Sequence, residues 1–134
     1  MQTVTVTTFL PVSPDQVWSV IGDPGAISNW HPAIANSSLN GNERICTLGD
    51  GARIDEQIDQ IDSVGRSYSY RIVASPLPIE NYLSTIKAVE ADGGCDVEWT
   101  STFDVVGAPA DEISSMIQGL YEAGMGALQE QFPG

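Results

Sequence analysis

The sequence predicts an α+β fold: seven antiparallel strands in one curved sheet, with the helices gathered on one side of it. Three observations carry this. Period-two alternation recurs in short runs separated by Gly, Asp and Pro. Two cap-plus-proline signals, Ser13-Pro14 and Asp23-Pro24, follow the first of those runs. After Gly107-Ala108-Pro109 the apolar period becomes that of a helix. A strongly curved sheet folded round that helix encloses a hollow.

Each element follows in order. Residues 2–10 alternate Val4 and Val6 with Thr3, Thr5 and Thr7, a half-buried strand ended by Pro11. Ser13 is an N-cap, Pro14 suits the first helical position and Gln16 completes a capping box. Val17, Trp18, Val20 and Ile21 give this short helix its apolar side, and Gly22 stops it. A second brief helix spans about residues 24–28 and ends near Asn29-Trp30-His31-Pro32. Residues 34–39 form the second strand, and a hairpin over residues 43–62 supplies the third and fourth. Past a turn at Ser63-Val64-Gly65, Tyr68, Tyr70 and Ile72 share one face of the fifth. Pro76-Leu77-Pro78 breaks it. In the sixth, the polar members turn Leu83, Thr85, Lys87 and Val89 outward and Tyr82, Ser84, Ile86 and Ala88 inward. After Asp92-Gly93-Gly94, Val97, Trp99, Ser101 and Phe103 oppose Asp96, Glu98, Thr100 and Thr102. Residues 110–131 form one amphipathic helix with Ile113, Met116, Ile117, Leu120, Ala123, Ala127 and Leu128 at helical spacing. Gly119, Gly124 and Gly126 lie inside it, each costing about 1 kcal/mol against alanine. Close packing or space for a ligand is expected to offset that.

The central hairpin carries the strongest site argument. Gly49-Asp50-Gly51 is a short loop whose glycines can take positive φ. With Asp50 at its centre, Leu48 faces Ala52, Cys46 faces Ile54, and Arg44 faces Glu56. These six share one face with Ile58, while Arg53, Asp55, Gln57 and Asp59 occupy the other. The second set belongs in water, so the first belongs inside. Arginine and glutamate are seldom fully buried unless paired. Here the register makes each the other's partner, either as a structural ion pair or as the polar equipment of a cavity.

Composition bounds the rest. A chain of 134 residues suits one domain, residues 1–134. The formal net charge of −13, from 18 acidic against 5 basic residues, argues against nucleic acid and membrane-surface partners. No apolar run is long enough to span a membrane, and no signal peptide is visible at Met1. Cys46 and Cys95 are too few and too far apart for a disulfide framework, so two thiols in a cytoplasmic protein are expected. His31 is the only histidine, which removes most histidine-based metal and triad schemes; no metal or organic cofactor is expected.

The order of elements, with Val17-Trp18, Trp30-His31-Pro32, SYRIV at 69–73, YLSTIKAVE at 82–90 and VEWTSTFD at 97–104, resembles the START-like, helix-grip superfamily. That superfamily includes the birch-pollen allergen type and the polyketide cyclase/dehydrase and lipid-transport group. The plant branch with the lachrymatory-factor synthases is particularly similar in those runs. The resemblance implies a helix-grip fold with a hydrophobic ligand cavity. By motif, that branch's candidate catalytic arginine and glutamate fall on Arg44 and Glu56, the pair already drawn from register. A buried carboxylate can exchange protons and a nearby guanidinium can hold a developing oxyanion. The expected pocket is lined by Arg44, Glu56, Tyr70, Tyr82, Trp99, Met116 and Leu120, with Trp30 and His31 at its mouth. The expected partner is a small hydrophobic molecule, bound by a monomer or homodimer. Cofactor-free enzyme, carrier and, less well supported, protein-interaction module all remain open.

Overall fold

The structure, a computed structural model, describes residues 1–133. It opens on strand β1 (Gln2–Leu10) and helix α1 (Pro14–Ile21). The Ser13 hydroxyl accepts the Gln16 N–H and the Gln16 side chain accepts the Ser13 N–H, the reciprocal cap that the sequence spells out. The second helix is a 3₁₀ turn (Pro24–Asn29), capped by Asp23, which accepts the Gly25 N–H at 3.0 Å. Then come β2 (Ile34–Asn40), β3 (Glu43–Leu48), β4 (Arg53–Asp62), β5 (Ser67–Ala74), β6 (Ile79–Ala91), β7 (Gly94–Val105) and α2 (Ala110–Gln131). No helix among the described residues is long and apolar enough to cross a membrane.

All seven strands form one antiparallel sheet, ordered β1-β7-β6-β5-β4-β3-β2. Strands β2 to β7 run as a meander, and β1 returns beside β7. The inward set on β7 is Cys95, Val97, Trp99, Ser101 and Phe103; on β6 it is Tyr82, Ser84, Ile86 and Ala88, as the alternation predicts. The helices cover this face. Burying an Ile or Leu side chain contributes about 1.5–3 kcal/mol, and α2 contributes Ile113, Ile117 and Leu128.

Three departures from the sequence reading have local causes. Strand β6 begins at Ile79, three residues earlier than its alternation shows. Asn81 takes φ +56° and the register shifts between Glu80 and Leu83, so a bulge hides the periodicity. Strand β4 slips register between Ile58 and Gln60, and its last residues leave the core, exposing Ile61. In α2, Met116 is 46% exposed rather than turned inward. The buried stripe runs through Ile113, Ile117, Tyr121, Gly124 and Leu128, and Met116 lies roughly 100° round the helix from its centre.

The three glycines of α2 divide. A Cβ on Gly124 would stand 2.8 Å from His31 Cδ2 and 3.0 Å from Trp30 Cζ3, so the helix meets the Trp30-His31 segment at backbone distance. A Cβ on Gly119 or Gly126 would meet nothing within 4 Å.

Candidate functional site

The hairpin register is the one its loop dictates. Arg44 pairs with Glu56 and Cys46 with Ile54, while the Leu48 N–H donates to the Ala52 carbonyl. Arg44 is 1% exposed and Glu56 8%, and Arg44 Nε donates to Glu56 Oε1 at 2.7 Å. Arg44 Nη1 donates to the Pro24 carbonyl (3.0 Å) and to the Tyr68 hydroxyl (3.1 Å). Its Cζ lies 4.6 Å from the Tyr70 ring centroid and 5.6 Å from that of Tyr68, so two aromatic faces also receive the cation. Burial opposes the guanidinium charge, but Tyr68, Glu56 and Tyr70 more than offset it and hold its pKa well above the usual value. Cys46 Sγ donates to Glu56 Oε1 at 3.3 Å. Burial, then the Glu56 charge, pushes that thiol up to about 12, which leaves it a neutral donor rather than a nucleophile. Cys46 and Cys95 are both free and buried.

A cavity of about 50 Å³ lies between this hairpin and α2. That holds a handful of waters, at about 10–15 Å³ each, and is small beside typical ligand clefts. Its apolar lining is Ile27, Ile34, Leu48, Ile54, Ile72, Leu77, Ile117 and Leu120; its polar or aromatic lining is His31, Arg44, Cys46, Glu56, Tyr70, Tyr82, Trp99 and Tyr121. The Trp99 and Tyr121 rings in that lining stack at 4.3 Å and 12°.

Opposite the ion pair, hydroxyls form one connected chain. Ser84 Oγ donates to the Thr100 carbonyl at 3.2 Å, so Tyr121 OH, 2.9 Å away, must donate to Ser84. Tyr82 OH then donates to Tyr121, and Tyr70 OH to Tyr82 across a long 3.4 Å contact. Trp99 Nε1 donates to Tyr70 (3.2 Å) and Ser84 (3.1 Å). These directions follow from which partners can only accept. Burial raises the pKa of Tyr70, Tyr82 and Tyr121, so the chain is one of neutral phenols.

His31 closes one wall. The Ala33 N–H donates to its Nδ1 at 3.2 Å, which leaves Nε2 as the donor to the Leu120 carbonyl at 2.7 Å. Burial lowers its pKa and favours this neutral form. Both ring nitrogens are engaged, so the geometry is that of a clamp between the 30–33 segment and α2.

Of the residues expected in the pocket, the structure brings together Arg44, Glu56, His31, Tyr70, Tyr82, Trp99 and Leu120. Met116 is not among them, for the helical phase given above. Trp30 is also off the lining: it is buried behind His31 and Trp99, at centroid distances of 5.6 and 5.9 Å, and its Nε1 has no partner. Tyr121, which the sequence already offers as core or cavity lining, joins the lining, four residues after Ile117 on the buried stripe. Tyr68 and the Pro24 carbonyl hold Arg44 from outside the lining; Tyr68 already shared an inward face with Tyr70.

Comparison with known proteins places these features. The family model described as polyketide cyclase/dehydrase and lipid transport matches residues 1–133. The protein XoxI from Bacillus cereus is similar at 34% identity over 98% of this chain and 96% of that one, with a TM-score of 0.95. An uncharacterised protein from Bacillus thuringiensis is similar at 33% identity over 98% of both chains, with a TM-score of 0.94. A START superfamily protein from Mycobacterium smegmatis, 11% identical over 97% of this chain and 96% of that one with a TM-score of 0.80, shares the helix-grip fold. A search of curated proteins gave no match. With the family model spanning every described residue, the chain belongs to the polyketide cyclase/dehydrase and lipid transport family.

Proposed function

We propose that this protein binds a small, mostly apolar molecule between the sheet and α2, and that Glu56 and Arg44 perform cofactor-free acid–base chemistry on it. The carrying observation is a buried, hydrogen-bonded Arg44–Glu56 pair in the wall of an otherwise largely apolar cavity. Glu56 would take a proton from a carbon beside a carbonyl and return it elsewhere on the molecule. Arg44 would hold the oxygen on which the negative charge develops. This is cyclase-, dehydratase- or isomerase-type chemistry. The other groups support the assignment to this pair: Cys46 is a neutral thiol, and both nitrogens of His31 are engaged.

A carrier without chemistry is the second reading. It is favoured by the extent to which Arg44 is already held by Glu56, Pro24 and Tyr68. One workflow tests both. Native mass spectrometry of the purified protein should show a co-purifying small molecule, which is identified and then returned to the protein in D₂O. Deuterium incorporation or product that disappears in Glu56→Gln supports the enzyme. A bound but unchanged molecule supports the carrier. Protein that neither co-purifies with nor takes up any apolar compound overturns the cavity reading itself.

A further inference from the structure

We infer that the cavity selects a neutral molecule no larger than one ring whose single polar edge sets a carbonyl oxygen beside an N–H or O–H, as a carboxamide does. This rests on the ligand-binding reading above and specifies its ligand.

Counting donors and acceptors leads there. The hydroxyl chain has no donor to offer, because the protons of Tyr70, Tyr82, Tyr121 and Ser84 are all committed and Trp99 Nε1 is shared between two oxygens. That wall therefore presents aromatic surface. The ion pair differs. Glu56 Oε1 accepts from both Arg44 Nε and Cys46 Sγ, and Arg44 Nη1 serves Pro24 and Tyr68. Among the described residues, nothing bonds to Glu56 Oε2 or Arg44 Nη2. Neither atom is sealed in: the fully enclosed, unpartnered side-chain polar atoms are Trp30 Nε1 and Ser101 Oγ. Arg44 and Glu56 both line the cavity, so the unpaired Nη2 and Oε2 are the donor and the acceptor that this wall can offer a ligand.

A ligand edge must answer both. A carboxylate satisfies Arg44 but sets like charge against Glu56 Oε2, and it must approach through a surface of net charge −13. A hydrocarbon leaves both atoms unpaired. A carboxamide edge pairs its oxygen with Nη2 and its N–H with Oε2. That edge is isosteric with a ketone beside an acidic C–H, so recognition and the proposed proton removal ask for the same geometry. The volume sets an upper limit on size: at about 50 Å³ the cavity is well below the roughly 150 Å³ that takes up a benzene ring, so the molecule is no larger than one ring and the walls must yield to admit it.

The test is a three-compound panel on the intact protein at neutral pH, read by calorimetry and by the shift of the Trp99 indole resonance: benzamide, benzoate and toluene. Benzamide should bind about ten-fold or more tighter than toluene, and benzoate no tighter than toluene. Three equal affinities, or benzoate tightest, overturn the edge and leave cavity binding intact. Failure of all three overturns cavity binding and the edge with it. Glu56→Gln, verified as folded by circular dichroism, replaces the free acceptor with a donor and should pass the preference from benzamide to benzoate. An unchanged preference in the folded variant overturns the assignment, and the wild-type panel decides the matter if that variant does not fold.

Discussion

At the scale of the residue, two loop glycines and a period of two were enough to place Arg44 opposite Glu56, because antiparallel pairing leaves a short hairpin one register that buries Ile54 and Ile58. What the sequence did not disclose is the rest of the arginine's environment. The Pro24 carbonyl and the Tyr68 hydroxyl come from 20 and 24 residues away, and only the folded sheet brings them in. They alter what mutation should do. Glu56→Leu leaves a charged guanidinium without its counter-charge and should cost about 3–5 kcal/mol. Arg44→Met strands the Glu56 carboxylate together with Tyr68 and Pro24, and should cost at least as much. The double variant removes the stranded charges but leaves Tyr68 OH and the Pro24 carbonyl unpaired, at about 1–3 kcal/mol each. It should therefore be more stable than the sum of the singles predicts, yet below wild type. Urea unfolding of the four proteins measures this. Harmless, additive single changes would show that the two side chains are not coupled. A folded double variant also separates the functional readings: the enzyme becomes inert, while the carrier still takes up an apolar ligand.

At the scale of the element, the glycines of α2 show how far pattern reading reaches. Each is an unfavourable residue in a helix, and the sequence announces three such costs without saying where they are offset. Only Gly124 has an offset, in the close approach of Trp30 and His31; no packing reason exists for Gly119 or Gly126. Gly119→Ala and Gly126→Ala should each stabilise the protein by about 1 kcal/mol. Gly124→Ala should destabilise it by about 1–3 kcal/mol, since the new methyl meets a ring edge held by the Ala33 and Leu120 hydrogen bonds. Thermal unfolding of the three variants decides it, and a stabilised Gly124→Ala would mean that the 30–33 segment is not clamped to α2. The same limit explains Met116. Helical spacing identifies an apolar stripe but not its centre, and a residue at the margin goes to water or to the core depending on which side the sheet approaches. It explains Asn81 as well, because a bulge in β6 breaks the very alternation by which strands are recognised.

At the scale of the whole molecule, charge is the dominant surface property. Each of the five basic residues is already matched with a carboxylate: Arg44 with Glu56, Arg53 with Asp55, Arg66 with Asp15, Arg71 with Asp59 and Lys87 with Glu98. Four of these pairs are at the surface, where each is worth about 0–1 kcal/mol. Asp104 meets the N-terminal ammonium at 3.5 Å; the other carboxylates, among the described residues, have no cation to meet and repel one another across a small fold of net charge −13. Salt acts on both terms with opposite sign: it weakens the four surface pairs and relieves the repulsion. The repulsion involves more groups and reaches further, so it should win. Raising NaCl from 0.02 to 0.3 M, which shortens the screening length from roughly 20 Å to below 10 Å, should raise the melting temperature. Every kcal/mol relieved is worth roughly 3–5 °C at this chain length. The buried Arg44–Glu56 pair is out of reach of the ions, so Arg44→Met/Glu56→Leu should show the same salt slope as wild type. A melting temperature that falls with salt would mean that the surface pairs outweigh the net charge. A slope that changes in the double variant would mean that solvent ions reach the pair, and that the cavity is more open than its 50 Å³ suggests.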